Sequence, residues 1–112
     1  MFTPKVIVVG GIFFKAKKPN RLREWYRKHL SFNLNPYGSS FEFRNAKNPE
    51  KIQYFLWSVF NNDTDYFLPS KKDFMINFRV ENIEKTVDYL REEGTEIIDE
   101  ISSYPYGKFV HI

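Results

Sequence analysis

The chain has 112 residues, enough for one shared core and too few for two independent ones. At 42% hydrophobic and 19% aromatic residues it is not a disordered chain, and with no cysteine it has no disulfides, thiolate nucleophiles or thiolate metal sites. The net charge of +3 comes mainly from Lys15, Lys17, Lys18, Arg21, Arg23, Arg27 and Lys28 at the first strand–helix junction, and no apolar run approaches the ~20 residues of a membrane span. A soluble cytoplasmic protein is the expectation.

In chain order, Lys5 to Val9 is β-branched and apolar, and Gly10 and Gly11 permit a bend or a close approach before strand residues Ile12 to Ala16. Pro19 suits a first helical turn, and Leu22, Trp25, Tyr26 and Leu30 recur on one stripe, which predicts an amphipathic helix on a sheet. His29 flanks that stripe and reads as a partly buried structural histidine. Asn33 to Ser40 is turn-rich, Phe41 to Arg44 alternates as a strand, Asn45 to Lys51 is a hairpin loop, and Ile52 to Phe60 is an aromatic-rich strand. The polar stretch 61–73, with Pro69, reads as a linker. Phe74 to Val80 restarts the pattern, Asn82 is a natural N-cap, Ile83, Val87 and Leu90 form the buried stripe of a second helix, and Gly94 ends it. Glu96 to Ile101 and Lys108 to Ile112 read as further strands, with a turn over Tyr104 to Gly107 between them.

This restart is an internal repeat. At a shift of 64, Ile12 meets Ile76, Phe14 meets Phe78, Lys15 meets Arg79, Trp25 meets Tyr89 and Arg27 meets Arg91 with no gap. The expected fold is α+β, a single domain of two tandem βαβββ modules: module 1 over about residues 1–60, the linker over 61–73, and module 2 over about 74–112. The counterpart of Phe55 to Val59 would lie past Ile112, so the last strand of the second module is expected to be absent from this sequence. The expectation is then that the sequence is the ordered part of a longer chain, with a strand supplied by a partner as the alternative.

The openings GIFFKAKKPNRLREWYRKHL and MINFRVENIEKTVDYLREEG, with the turn-strand YGKFVHI, resemble the vicinal oxygen chelate superfamily, also called the glyoxalase / bleomycin resistance / dioxygenase superfamily. The resemblance implies strands of two modules curled around a cleft, a homodimer, and in many members a divalent metal held by residues of the first and last strands of each module. The family's following Asp-Pro-x-Gly-Asn and final glutamate strand are not in this sequence. Carried over, the metal positions fall at Gly11, Met75 and Trp57, with the fourth beyond Ile112, and none of those three side chains binds a divalent cation. No metal or other cofactor is therefore expected; a divalent metal would require a different ligand alignment.

If the vacated positions face the cleft, strand parity adds Phe13 and Lys15 beside Gly11, Asn77 and Arg79 beside Met75, and Phe55 and Val59 beside Trp57. Phe14, Leu56, Ala16, Ile76 and Phe78 then pack under helices. Aligning Gly38 with Gly107 directs Glu42, Arg44, Phe109 and His111 toward the cleft. The candidate ligand-binding residues are thus Phe13, Arg44, Trp57, Met75, Asn77, Arg79, Phe109 and His111, an aromatic pocket with a few polar groups. The same aromatics also read as core or dimer interface, and Lys15 and Arg79 as anion-binding or solvent-facing. Glu42 and His111 form the one acid–base pair, Glu42 with Arg44 reading equally as a solvated strand face. Asn61 to Asp65 lacks the glycine and distal glutamate of a calcium loop and reads as a turn.

Three functions remain: a metal-free small-molecule-binding protein, a superfamily enzyme of the lyase, isomerase or dioxygenase type, and a nucleic-acid-binding module using the basic cluster. The first is the leading expectation. The partners it implies are a small-molecule ligand and a second copy of the chain, with no membrane.

Overall fold

The structure, a computed structural model, describes residues 2–112. Its elements are β1 (Val6–Ala16), α1 (Pro19–Leu30), β2 (Ser39–Arg44), β3 (Ile52–Asn61), β4 (Phe74–Val80), α2 (Ile83–Glu92), β5 (Ser102–Tyr104) and β6 (Gly107–Phe109). The fold is α+β, with a mixed four-stranded sheet in the order β2-β3-β1-β4 and a two-stranded β5-β6 hairpin. The repeated βα unit keeps its spacing: β1 ends at Ala16 and β4 at Val80, and α1 begins at Pro19 and α2 at Ile83, both a shift of 64. Two strands follow each helix among the described residues, so each half holds βαββ rather than the three post-helical strands of a βαβββ module.

The chain divides into two compact units, Val9–Phe78 on one hand and Arg79–Ile112 with the N-terminal residues up to Val8 on the other. In the first, β1 and β3 run parallel, with Gly11 opposite Leu56, Ile12 opposite Trp57, Phe13 opposite Ser58 and Phe14 opposite Val59. β2 pairs antiparallel with β3 from Ser39↔Trp57 to Arg44↔Ile52. β1 is one continuous strand through its glycine pair, and Gly11 serves the close approach: a Cβ there would lie 2.6 Å from the Leu56 carbonyl oxygen. At the other side of β3, Gly38 has φ +136°, and a Cβ on it would meet the Trp57 carbonyl oxygen at 2.1 Å. The β2–β3 loop is tied by Asn45, whose Oδ1 accepts from the backbone N–H groups of Lys47 and Asn48 at 2.8 and 3.2 Å.

These pairings decide which residues share a face. Ile12, Phe14, Trp57, Val59, Phe41 and Phe55 lie on one side of the sheet, and Phe13, Lys15, Leu56, Ser58 and Phe60 on the other. α1 covers the first side. Its Tyr26 ring sits 4.7 Å from Trp57, which also meets Phe14 at 5.5 Å and Phe32 at 4.9 Å; Phe32 in turn meets Phe41 at 5.2 Å. Arg23 fastens the helix to β3 by donating through Nη2 to the Val59 carbonyl at 2.5 Å, two residues past the last β2–β3 pair. The rest of the expected α1 stripe is less buried than its spacing suggests, with Trp25 50% and Leu30 55% exposed. His29 is exposed rather than partly buried, its ring 4.9 Å from that of Trp25.

Residues 61–73 are more than a linker. Phe67 is buried there and packs edge-on against Phe60 at 5.3 Å, and Tyr66 stacks on Phe60 at 5.2 Å. β4 begins beside the end of β1, where the Lys15 N–H donates to the Asp73 carbonyl at 2.8 Å. Ile76 and Phe78, expected under a helix, are exposed instead, as is Phe74.

In the second unit, Asn82 caps α2 as expected, accepting from the Lys85 N–H at 3.0 Å, and Gly94 follows the helix with φ +87°. Val87 is its buried residue. Glu96 to Ile101 is not a strand; it meets the end of the chain through the backbone bond from the Ile98 N–H to the His111 carbonyl at 2.9 Å.

Two substitutions test this packing. Gly11→Ala should destabilise the protein by about 1–3 kcal/mol, because the methyl collides with backbone. Trp57→Ala should cost about 3–5 kcal/mol by removing the ring at the centre of the helix-side cluster. Chemical denaturation monitored by far-ultraviolet circular dichroism measures both; a loss below about 0.5 kcal/mol for either would contradict the β1–β3 register.

Candidate functional site

The register corrects one central expectation. Trp57 does not share a face with Phe13, because Phe13 pairs with Ser58 and Trp57 with Ile12. Trp57 is a core residue beneath α1, and Phe55 and Val59 go with it, while Leu56, expected under a helix, shares the side of Phe13. The repeat shift carries no information about pairing between β1 and β3, which is set by how closely Gly11 lets the two backbones approach.

Phe13 keeps its expected position on the face opposite α1, and the structure surrounds it with partners that the sequence alone did not single out. Its ring lies 5.4 Å from Phe60 and 6.3 Å from Tyr66. Lys15, two residues on, extends over the Phe67 ring with Nζ 5.3 Å from its centroid. Four aromatic rings and one cation thus occupy one end of this sheet face, with Tyr66 41% exposed and Phe67 sealed beneath. A helix-like or strand-like period could not reveal Tyr66 and Phe67, since both come from an irregular segment; their proximity to Phe60 in the chain was the available signal.

Glu42 and Arg44 share this face at the far strand, opposite Tyr54 and Ile52. Both are exposed, and Arg44 donates through Nη1 to the Pro49 carbonyl at 3.2 Å, which fastens the β2–β3 loop. Met75 and Asn77 lie on the less exposed side of β4, alternating with Phe74, Ile76 and Phe78. The Asn77 Nδ2 is buried and has no acceptor. Among the described residues, no three His, Asp or Glu side chains converge as a metal-binding group.

Arg79, Phe109 and His111 belong to the other unit. Arg79 is exposed at the end of β4. Phe109 joins Tyr104 and Tyr106, whose rings stack at 5.2 Å and 4° across the β5–β6 turn. His111 is held by Asp99, which accepts from the His111 backbone N–H at 2.7 Å and faces its Nδ1 at 2.6 Å. The acid that the structure gives His111 is therefore Asp99, a residue that sequence pairing with Glu42 overlooked because Asp99 lies in a segment read as a strand. Lys108 bonds Glu84 of α2 and ties the hairpin to that helix. A cavity of about 460 Å³ borders α2, lined by Lys85, Asp88, Tyr89, Glu92 and Glu93 with Phe2.

No family model, no curated protein and no solved structure matches this chain. No helix among the described residues is long and apolar enough to cross a membrane.

Partial burial opposes ionisation of Asp99, but the bonds from the His111 backbone and ring together outweigh it and hold the carboxyl below its ordinary value. A folded-state value below the unfolded one stabilises the fold at neutral pH, and that contribution fades as pH falls through the folded value. Asp99→Asn should therefore lower the melting temperature at neutral pH, with the gap to the parent protein closing below about pH 4. Thermal melts across an acid series measure this, and a gap independent of pH would show that the Asp99 charge contributes nothing.

Proposed function

We propose that this protein is a metal-free small-molecule-binding protein of the glyoxalase / bleomycin-resistance type, working in a reducing cytoplasm. Its ligand lies against the aromatic face built by Phe13, Phe60 and Tyr66. The observation that carries the reading is that this face is aromatic on the side opposite α1, where Lys15 supplies a cation and Tyr66 remains accessible. Such a surface stacks on a planar ring, and Lys15 gives it a preference for an acidic substituent. In this proposal the two βα repeats, in register at a shift of 64, are the repeated units of a glyoxalase-like fold.

The ligand is a planar aromatic molecule bearing a carboxylate or a comparable anion. Calorimetric titration of the protein with a panel of such compounds should give saturable binding to which this face contributes one site per chain. Tyr66→Ala should weaken it about tenfold, the loss of one aromatic stacking contact. Binding unchanged by Tyr66→Ala would remove this face from the site.

The second partner is another copy of the chain. Phe74, Ile76 and Phe78 expose one apolar row on β4, 54%, 45% and 56% exposed, which an isolated chain would leave to water. Light scattering coupled to size exclusion should report a dimer, converted to monomer by the double substitution Ile76→Lys and Phe78→Lys. A parent protein that runs as a monomer at all concentrations would refute this partner.

The Asp99–His111 contact is what favours the catalytic alternative, because an imidazole oriented by a carboxylate is the arrangement an acid–base histidine requires. Asp99 then takes the part assigned to Glu42 from the sequence.

A further inference from the structure

Two residues of the basic cluster make side-chain hydrogen bonds. Arg27 bonds Glu24, and Arg23 bonds Asn20 and the Val59 carbonyl. The side chains of Lys17, Lys18 and Arg21 have no hydrogen-bond or ion-pair partner among the described residues, and the first turn of α1 contains no acidic side chain. Within α1 only Arg27 has an ion-pair partner among the described residues, and the cations at the helix start stand without one, as does Lys28 near its end.

A cavity of about 330 Å³ opens at that point, lined by Ala16, Lys18, Arg21, Leu22 and Trp25. Its walls combine two unpaired cations with an indole, a leucine and an alanine. Trp25 is 50% exposed although it falls on the stripe expected to be buried, so its ring is presented to this cavity instead of the sheet. The cavity is wide open to solvent, and its lining is almost wholly apolar, with the aliphatic stems of Lys18 and Arg21 in the wall and their cations at the rim. Water solvates such cations, but it does not solvate the adjoining indole and leucine; a molecule carrying both an anion and a flat apolar body satisfies both.

We propose that this cavity at the start of α1 is a second ligand site, selective for organic anions with a planar apolar body: aryl carboxylates, sulfonates and phosphate monoesters. Lys18 and Arg21 bind the anion, and Trp25 with Leu22 and Ala16 covers the ring. The site is separate from the face of Phe13, Phe60 and Tyr66. Trp25 is its natural reporter.

The test uses the full chain and the probe 8-anilinonaphthalene-1-sulfonate, whose emission rises in apolar surroundings. Saturable binding with energy transfer from tryptophan is expected, weakened as salt is raised. The double substitution Lys18→Glu and Arg21→Glu should weaken it at least about tenfold, and Trp25→Phe should abolish most of the transfer. Two controls distinguish binding in the cavity from binding elsewhere on the protein. Lys28→Glu, on the same helix but outside the cavity, should leave the affinity unchanged, and Tyr66→Ala, which alters the sheet face, should leave the energy transfer from Trp25 in place. An equal loss in Lys28→Glu would mean diffuse attraction to a basic helix and would overturn the proposal. So would a loss confined to Tyr66→Ala, or binding to phosphatidylserine vesicles with none of the soluble probe. All five positions altered are exposed or half-exposed, so circular dichroism should show parent-like folding in each variant.

Discussion

The close approach of β1 to β3 at Gly11 is the contact on which the first unit depends. With no side chain at that position, the Leu56 carbonyl oxygen comes to where a Cβ would be, and the parallel register follows from there. Every assignment of a residue to a face descends from that register. A slip of one residue between the two strands would bring Phe13 to the side of Trp57 and Phe14 to the side of Leu56, mixing the core with the candidate ligand face.

The two faces that result are both aromatic but are used differently. On the helix side, Phe14, Tyr26 and Phe32 surround Trp57, Phe41 packs on Phe32, and Arg23 fixes α1 through a main-chain carbonyl. These contacts serve packing. On the other side the cover is a short irregular segment contributing Tyr66 and Phe67, and the cover is partial. An aromatic surface closed by a helix stabilises a fold, whereas one closed by a loop with an exposed tyrosine and a lysine at its edge is available to a ligand.

Much of the fold was legible in the sequence. The alternation in Phe41 to Arg44 and Phe74 to Val80, Pro19 at a helix start, Asn82 as a cap and Gly94 past a helix end are local signals, and each element formed where its signal lay. The 64-residue shift was legible because both strand–helix junctions repeat it. Pairing was not, because a strand's own pattern says which residues alternate and nothing about which neighbour faces which; Trp57 was misplaced for that reason. Tyr66, Phe67 and Asp99 were missed because their roles depend on contacts made from irregular chain, where no period marks a buried side chain. Trp25 shows the reverse failure: its spacing is that of a core residue, yet the sheet beneath α1 is filled by Tyr26, Trp57 and Phe32, and half of the Trp25 surface stays in water.

If ligand meets the Phe13 side of the sheet and not the Trp57 side, the two sets of rings must respond differently when it binds. The most direct measurement is fluorine nuclear magnetic resonance of protein carrying fluorinated phenylalanine and tryptophan, titrated with a tight-binding aromatic carboxylate from the calorimetric panel. Saturable shifts are predicted at Phe13 and Phe60, with Phe14 and Trp57 unmoved. Shifts at Phe14 and Trp57 with Phe13 and Phe60 unmoved would contradict a ligand site on the Phe13 face.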